Sequence, residues 1–217
     1  GQLLRIMGEP FGGGTLFDHA GASLGRWMIG FFLAALGIPL GIFMAWIPSI
    51  RAFVYPLFEF LRYIPPIAWI PLAVLWFGAS TMSQVAIVFL AAFPPAVINS
   101  YLGVTQAEPI LLRAAATLGA SQSTILRRVV VPVATPAIFA GMRISLSNGW
   151  MAVVGAELIA GTLGLGFLII QGQYSGSTSI VIAGMVTIGA LGAGLDVLTR
   201  RLQQRVLPWR PNEMEGH

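Results

Sequence analysis

The sequence has 217 residues, of which 56% are hydrophobic and only 9% are charged, whereas a soluble domain carries roughly a quarter charged residues. The long uninterrupted apolar stretches predict membrane-spanning helices and exclude a transmembrane barrel, whose strands would alternate apolar and polar residues. The net charge of +4 comes from arginines beside these stretches, which is the pattern that sets membrane orientation and not that of a nucleic-acid-binding surface.

Several chemistries are excluded by what the sequence lacks. Without cysteine there is no disulfide framework, thiolate nucleophile or cysteine metal site. Without lysine there is no phosphate-binding G-x-x-x-x-G-K-[ST] loop, so any ATP hydrolysis must occur on another chain. Two histidines and no H-E-x-x-H motif predict no metal site. The stretch 21–25 matches the hydrolase pattern G-x-S-x-G, but a predicted span follows it, so we interpret the match as chance.

The first predicted span covers residues 27–47, and the segment 1–24 before it is assigned outside the membrane core. The run is apolar and uncharged, and its length suits a crossing of about 20 residues. Gly37 and Gly41 form a small-xxx-small pair, which predicts the close approach of a neighbouring helix.

Two further crossings are predicted between residues 63 and 107, where no charged residue occurs. An amphipathic linker, 51–62, leads to a short crossing at 66–78, and Pro65-Pro66 predicts an extended entry. The next crossing covers 84–102.

A polar loop, 106–132, interrupts the apolar pattern and carries Arg113, Arg127 and Arg128. Gly119 lies in its middle and is a plausible turn between two short helices, because glycine tolerates left-handed dihedral angles. We therefore predict that the loop leaves the membrane.

The last two predicted spans are 133–158 and 179–197, with the membrane region ending near residue 200 and a tail at 201–217. Asp196 can pair with Arg200 at helical i,i+4 spacing.

Membrane orientation follows from the arginines in the connections. Nine lie in 51–62, 106–128 and 198–217, and none in 79–83 or 161–178. Five crossings place the arginine-rich connections and the C-terminus in the cytoplasm.

The polar loop resembles the coupling loop of permease subunits of ATP-binding-cassette (ABC) importers. That pattern is E-A-A, three residues, G, nine residues and I-x-L-P; here Arg113-Ala114-Ala115, Gly119 and Val129-Val130-Val131-Pro132 occupy it. The spacing is intact, and Arg113 replaces the glutamate.

Other stretches narrow the resemblance to the branch that imports aliphatic sulfonates, taurine, nitrate or bicarbonate. The sequence is similar to this branch at 61–72, 76–78, 141–143, 149–150 and 156–158. It is most similar to taurine permeases through Arg113, the stretch 156–160 and the motif 207–209. The family usually has one more hydrophobic segment upstream, which is missing here.

The resemblance implies an all-α, polytopic protein of the bacterial inner membrane with the type I ABC importer permease fold, about five transmembrane helices and a cytoplasmic coupling helix. It also implies a homodimer, two cytoplasmic ATPase subunits that hold ATP and magnesium, an extracytoplasmic solute-binding protein, and no cofactor or catalysis on this chain. The residues it assigns to coupling are Arg113, Ala114, Ala115, Ala116, Leu118, Gly119, Ala120 and Ser121.

Polar residues of the predicted fourth span are candidates for the translocation pathway. Arg143 is costly in the middle of a span unless it faces protein or water, so it either attracts an anionic solute or has a structural role, paired with a carboxylate or with helix-end carbonyls. Glu157 lies fourteen residues further on, about 21 Å along a helix, and is a gate or packing residue near the outer face. The pathway candidates are Arg143, Ser147, Asn148, Trp150 and Glu157, with interhelical hydrogen bonding as the alternative for the polar side chains.

The function predicted from these features is a permease for a small organic sulfonate such as taurine. A nitrate or bicarbonate permease is the alternative within the family. The alternative from another class is a secondary transporter driven by an ion gradient, which would need no ATPase.

Overall fold

The computed structural model describes residues 11–206. Within this range the chain consists of helices joined by short connections, with no β-strand beyond an isolated bridge between Phe11 and Gly14. The motif 207–209 and the part of the predicted tail after residue 206 lie outside the described residues, as does the start of the N-terminal segment.

The first long helix begins earlier than the predicted span 27–47. Helix α1 (Leu16–Ala34) starts at a capping box in which Thr15 and Asp18 exchange hydrogen bonds, and α2 (Gly37–Trp46) follows after a short break. Together they form an apolar segment of 31 residues. The helix extends through polar residues near its start because other parts of the protein bind their side chains.

The region between the first span and the next long helix is a broken element. Helix α3 (Pro48–Arg62) is followed by a 3₁₀ turn (Pro66–Trp69) and α4 (Ile70–Phe77), with a bend of 91° between the two halves. Pro65 and Pro66 lie at the break, where proline disfavours a continuous helix.

Helices α5 (Thr81–Thr105) and α8 (Val131–Ala160) form the centre of the structure, and α1 and α2 pack against α5. Glycine allows this close packing. A Cβ atom at Gly41 would lie 2.2 Å from the carbonyl oxygen of Val97 on α5, which confirms the close helix approach predicted at this position.

The remaining helices are α6 (Pro109–Thr117), α7 (Gln122–Ile125), α9 (Leu165–Tyr174) and α10 (Thr178–Val206). Along the chain, the two short helices α6 and α7 connect α5 to α8. Helix α9 packs against both α8 and α10.

Four segments are long and apolar enough to cross a membrane, and the bent α3–α4 pair makes a fifth if it counts as one span. This architecture agrees with the sequence-based prediction of about five transmembrane helices. The long segments are Leu16–Trp46, Thr81–Thr105, Gln122–Ala160 and Thr178–Val206.

Candidate functional site

The polar loop folds into two short helices joined by a tight turn. Helix α6 ends at Thr117, and Gly119 adopts a left-handed conformation with φ of +79°. The amide of Ala120 then donates to the carbonyl oxygen of Ala115 at 3.1 Å, and Ser121 caps α7 by accepting from the amide of Thr124. The turn predicted at Gly119 is confirmed.

This helix pair, α6 and α7, has an inner apolar face and an outer exposed face. Leu112, Ala115 and Ala120 pack against a buried cluster that includes Val104 of α5 and Ala134 of α8. The outer face presents Leu118, whose side chain is 88% exposed. The other exposed members of the predicted coupling set are Arg113, Ala114, Ala116, Gly119 and Ser121.

The helix pair is continuous with the longest helix of the protein. Helix α7 passes through a π-helical turn, Leu126–Val130, directly into α8, and Pro132 lies in the first turn of α8. A force applied to the pair would therefore reach α8 without an intervening flexible loop.

Arg113 projects from the outer face without an acidic partner in the described part of the chain. Its Nε donates to the carbonyl oxygen of Pro109, one turn earlier, at 3.4 Å. The guanidinium therefore remains available to a group on another molecule.

Arg143 forms an ion pair between two long helices. Its Nε donates to Oδ1 of Asp196 on α10 at 2.7 Å, and the Nε of Arg200 donates to the other carboxylate oxygen at 2.8 Å. The Asp196–Arg200 pair predicted from i,i+4 spacing is confirmed. The ion pair with Asp196 supports a structural role for Arg143 over contact with the solute.

Glu157 lies in a buried polar cluster at the junction of α1, α8 and α9. Its carboxylate accepts from Nη1 of Arg26 at 2.7 Å, from the hydroxyl of Ser23 at 2.8 Å, and from the amide of Gly166 at 3.0 Å. A Cβ atom at Gly164 would lie 2.3 Å from this carboxyl group. The cluster therefore requires glycine at position 164.

The same junction is closed by a buried histidine. With the His19 Nε2–H donating to the carbonyl oxygen of Phe11 at 2.9 Å, Nδ1 accepts from the amide of Gly164 at 3.0 Å. Backbone groups of the loop before α9 are thus bound by side chains of α1.

The other pathway candidates have different environments. Trp150 is buried, stacks edge-on against Trp27 and donates from Nε1 to the carbonyl oxygen of Ile188. Ser147 is half-buried, and Asn148 is exposed. The structure therefore does not bring the five candidates together in one site, and their contact with a solute stays a prediction.

Asn148 borders a cleft that sequence reasoning missed. The cleft has a volume of about 560 Å³ and lies at the break between α3 and α4, against α5. Residues remote in sequence form it, so only the unusual Pro65-Pro66 break signals it. Its polar side chains are Arg62, Tyr63, Asn99 and Asn148, and its aromatic ones include Phe58, Trp69, Phe89 and Phe93.

Comparison with known proteins identifies the family. The profile described as "Binding-protein-dependent transport system inner membrane component" matches residues 37–208. The chain belongs to this family. The permease is therefore a multi-pass inner-membrane component of an ABC importer, and its family consists of transport subunits.

Two curated permeases illustrate the similarity. The taurine transport system permease protein TauC of Escherichia coli (strain K12) is 40% identical, over 96% of this permease and 76% of TauC. The bicarbonate transport system permease protein CmpB of Synechococcus elongatus is 37% identical, over 88% of this permease and 70% of CmpB.

A solved structure confirms the predicted type of fold. The permease matches an inward-facing MetNI methionine ABC transporter with a TM-score of 0.73, covering 88% of this chain and 95% of that chain. The sequence identity is 19%, so this likeness concerns the fold alone.

Removing the Arg143 guanidinium is expected to weaken the packing of α10 on α8. Arg143→Ala should cost about 1 kcal/mol, since Asp196 keeps its ion pair with Arg200 after the change. Asp196→Asn should cost more, because it leaves both Arg143 and Arg200 without their carboxylate. Thermal melting of the purified permease measures the loss of stability in both variants. We expect the uptake per folded transporter to equal that of the wild type. Lost uptake with unchanged melting of Arg143→Ala would instead indicate contact with the solute.

Proposed function

We propose that this permease forms the translocation pathway of an ATP-driven importer and that the α6–α7 pair is its docking site for a separate ATPase. In this proposal two copies of the permease assemble with two cytoplasmic ATPase subunits and an extracytoplasmic solute-binding protein. ATP and magnesium are bound by the ATPases, and the C-terminus is cytoplasmic.

The observation that carries the docking proposal is the two-faced character of the helix pair. Leu118 is an exposed apolar side chain, and Arg113, Arg127 and Arg128, close to it in the chain, are exposed as well. Such a side chain gains free energy when a partner covers it. The arginines favour a cytoplasmic location for this surface, which is where an ATPase can reach it.

The inner face supports a role in energy coupling. Ala115 and Ala120 pack against residues of both α5 and α8, so a displacement of the docked helix pair would move the two central helices together. Close packing makes such an interface rigid.

Arg113 defines the chemistry expected of the partner. Its guanidinium is exposed and has no acidic partner in the structure as described, so we propose that it pairs with a carboxylate on the ATPase. This reverses the charges implied for family members that carry glutamate at this position.

For the solute, we propose a small organic sulfonate such as taurine. The identity to TauC and the stretches that resemble taurine permeases support this choice. Nitrate or bicarbonate is the alternative, supported by the similarity to a bicarbonate permease.

The docking proposal predicts a site-specific cross-link to the ATPase. Because the chain has no cysteine, Leu118→Cys introduces a single thiol at the exposed tip of the helix pair, and Tyr174→Cys provides an equally accessible control at the end of α9. With a cysteine-reactive photo-cross-linker, we expect Leu118→Cys, but not Tyr174→Cys, to capture the ATPase in the assembled transporter.

Equal cross-linking to the ATPase from the two positions would contradict docking at the helix pair.

Uptake of labelled taurine, nitrate and bicarbonate by the reconstituted transporter tests the proposed solute. Uptake that persists without the ATPase would favour the gradient-driven alternative.

A further inference from the structure

The cleft at the break between α3 and α4 lies beside the middle of a membrane-spanning helix. Helix α3 follows α5 in the opposite direction, with Tyr55 beside Tyr101 and Phe58 beside Phe93. Arg62 is one turn beyond Phe58 and so lies near the middle of Thr81–Thr105. Charge counting predicts 51–62 as a cytoplasmic connection, and in the structure these residues form a helix that packs along α5 until the Pro65-Pro66 break.

Broken helices at half-depth are where membrane transporters place polar binding groups, because the interrupted backbone and its neighbours line a cavity and not lipid. The lining of this cleft fits that description. It is largely aromatic and aliphatic, with a few polar side chains, and its 560 Å³ is within the range of about 300–1,000 Å³ that is typical of small-molecule sites.

Arg62 is the charged group of the cleft, and its hydrogen bonds are incomplete. Its Nη2 donates to Oε1 of Glu59 at 2.5 Å and to the hydroxyl of Tyr63 at 3.1 Å. Its Nε is buried without a hydrogen-bond partner among residues 11–206. Among residues 11–206 the guanidinium is therefore held through Nη2, while its Nε–H lacks an acceptor.

Two amides complete the polar lining. Asn148 is exposed to the cleft from α8 and makes no hydrogen bond within the part of the chain that the structure describes. Asn99 donates from Nδ2 to the carbonyl oxygen of Pro95 on its own helix, which leaves its side-chain oxygen as an acceptor.

We propose that this cleft is the solute-binding site of the permease and that it takes a zwitterionic amino sulfonate. The inference rests on the proposed transport function and names its site. The sulfonate oxygens accept from the Arg62 guanidinium and the Asn148 amide, and the ammonium group lies against the aromatic rings, where a cation is attracted to the ring face.

The charge of the cleft decides between solute classes. Glu59 already neutralises Arg62, while Arg143 and Glu157 are paired with Asp196 and Arg26 away from the cleft. A zwitterion leaves the occupied site neutral. A monoanion such as nitrate or bicarbonate would add an uncompensated negative charge at membrane depth, which is unfavourable.

The test uses the complete transporter in proteoliposomes, with the solute-binding protein delivering labelled taurine. Arg62→Gln and Asn148→Leu remove the two donors, and Arg201→Gln makes the same change at an exposed arginine of α10. We expect Arg62→Gln to lower uptake about tenfold or more, because the sulfonate would lose a charged hydrogen-bond donor. ATP hydrolysis stimulated by the binding protein should stay within about twofold, and Arg201→Gln should match the wild type.

If the Arg62→Gln transporter takes up taurine within twofold of the wild-type rate, the cleft is not the solute-binding site. If Arg62→Gln fails to assemble, Asn148→Leu decides, because this side chain supports no internal hydrogen bond; unchanged uptake would then overturn the proposal.

A second measurement tests the zwitterion. In Glu59→Gln the positive charge of Arg62 is uncompensated, so the ratio of taurine to ethanesulfonate uptake should fall. Because the binding protein is the same for every variant, its own preference between the two solutes cancels, and a change in the ratio reports on the permease. An unchanged ratio would overturn the proposal that the site takes a zwitterion.

A wild-type transporter that pumps only nitrate or bicarbonate would refute the proposed solute. The effect of Arg62→Gln on the uptake of that anion would still test whether the cleft binds the solute.

Discussion

Replacing Glu157 with alanine is expected to destabilise the permease by about 3–5 kcal/mol, since removing one partner of a buried ion pair leaves the other charge without compensation. Arg26 would lose its carboxylate inside the protein, where its side chain is 7% exposed. The hydroxyl of Ser23 and the amide of Gly166 would lose their acceptor as well. The junction of α1, α8 and α9 would then open.

Thermal melting in detergent measures this effect, and a loss of this size corresponds to a decrease in melting temperature of roughly 10 °C. Glu108→Ala is the control, because Glu108 is exposed at the start of α6. Glu157→Gln keeps the volume but removes the charge, so its effect should be intermediate.

The double variant Arg26→Leu with Glu157→Leu separates charge from packing. It removes both buried charges, so it should melt at a higher temperature than Glu157→Ala even though the carbonyl oxygen of Leu163 loses a donor. A melting temperature of Glu157→Ala within about 2 °C of the wild type would contradict a stabilising role for the cluster.

Local features of this permease could be predicted from the sequence because each depends on neighbouring residues. Gly119 interrupts a polar segment and adopts the left-handed conformation that glycine favours. Asp196 and Arg200 are one helical turn apart and pair as expected. The apolar stretches correspond to the long helices for the same reason, since hydropathy is a local property.

The contacts of the charged residues could not be predicted, because they depend on how the helices pack. Glu157 meets Arg26 across 131 positions and Arg143 meets Asp196 across 53, and the spacing within a single helix carries no information about either pair. The position of Arg62 beside the cleft could not be predicted for a related reason. Charge counting assigns an arginine to a connection, whereas packing of α3 along α5 places it beside the cleft.

Replacing Gly119 with proline is expected to uncouple the ATPase while the permease still inserts in the membrane. Proline fixes φ near −65°, whereas this position has φ of +79° and its amide donates to the carbonyl oxygen of Ala116. The turn between α6 and α7 would have to rearrange, which displaces Leu118 and Arg113 from the proposed docking geometry. The change lies in the turn outside the long helices, so we expect those helices still to fold and insert.

Gly119→Asn is the matched control, because asparagine tolerates the left-handed region and no atom lies within 4 Å of a Cβ at this position. Gly119→Ala has the same free space but pays about 1–2 kcal/mol for the backbone conformation, so we expect the order asparagine, alanine, proline in decreasing activity. ATP hydrolysis stimulated by the solute-binding protein measures the coupling, and the proline variant should lose about tenfold or more. If Gly119→Pro hydrolyses ATP at the wild-type rate in the assembled transporter, the helix pair does not transmit the coupling, because its geometry could then change without consequence.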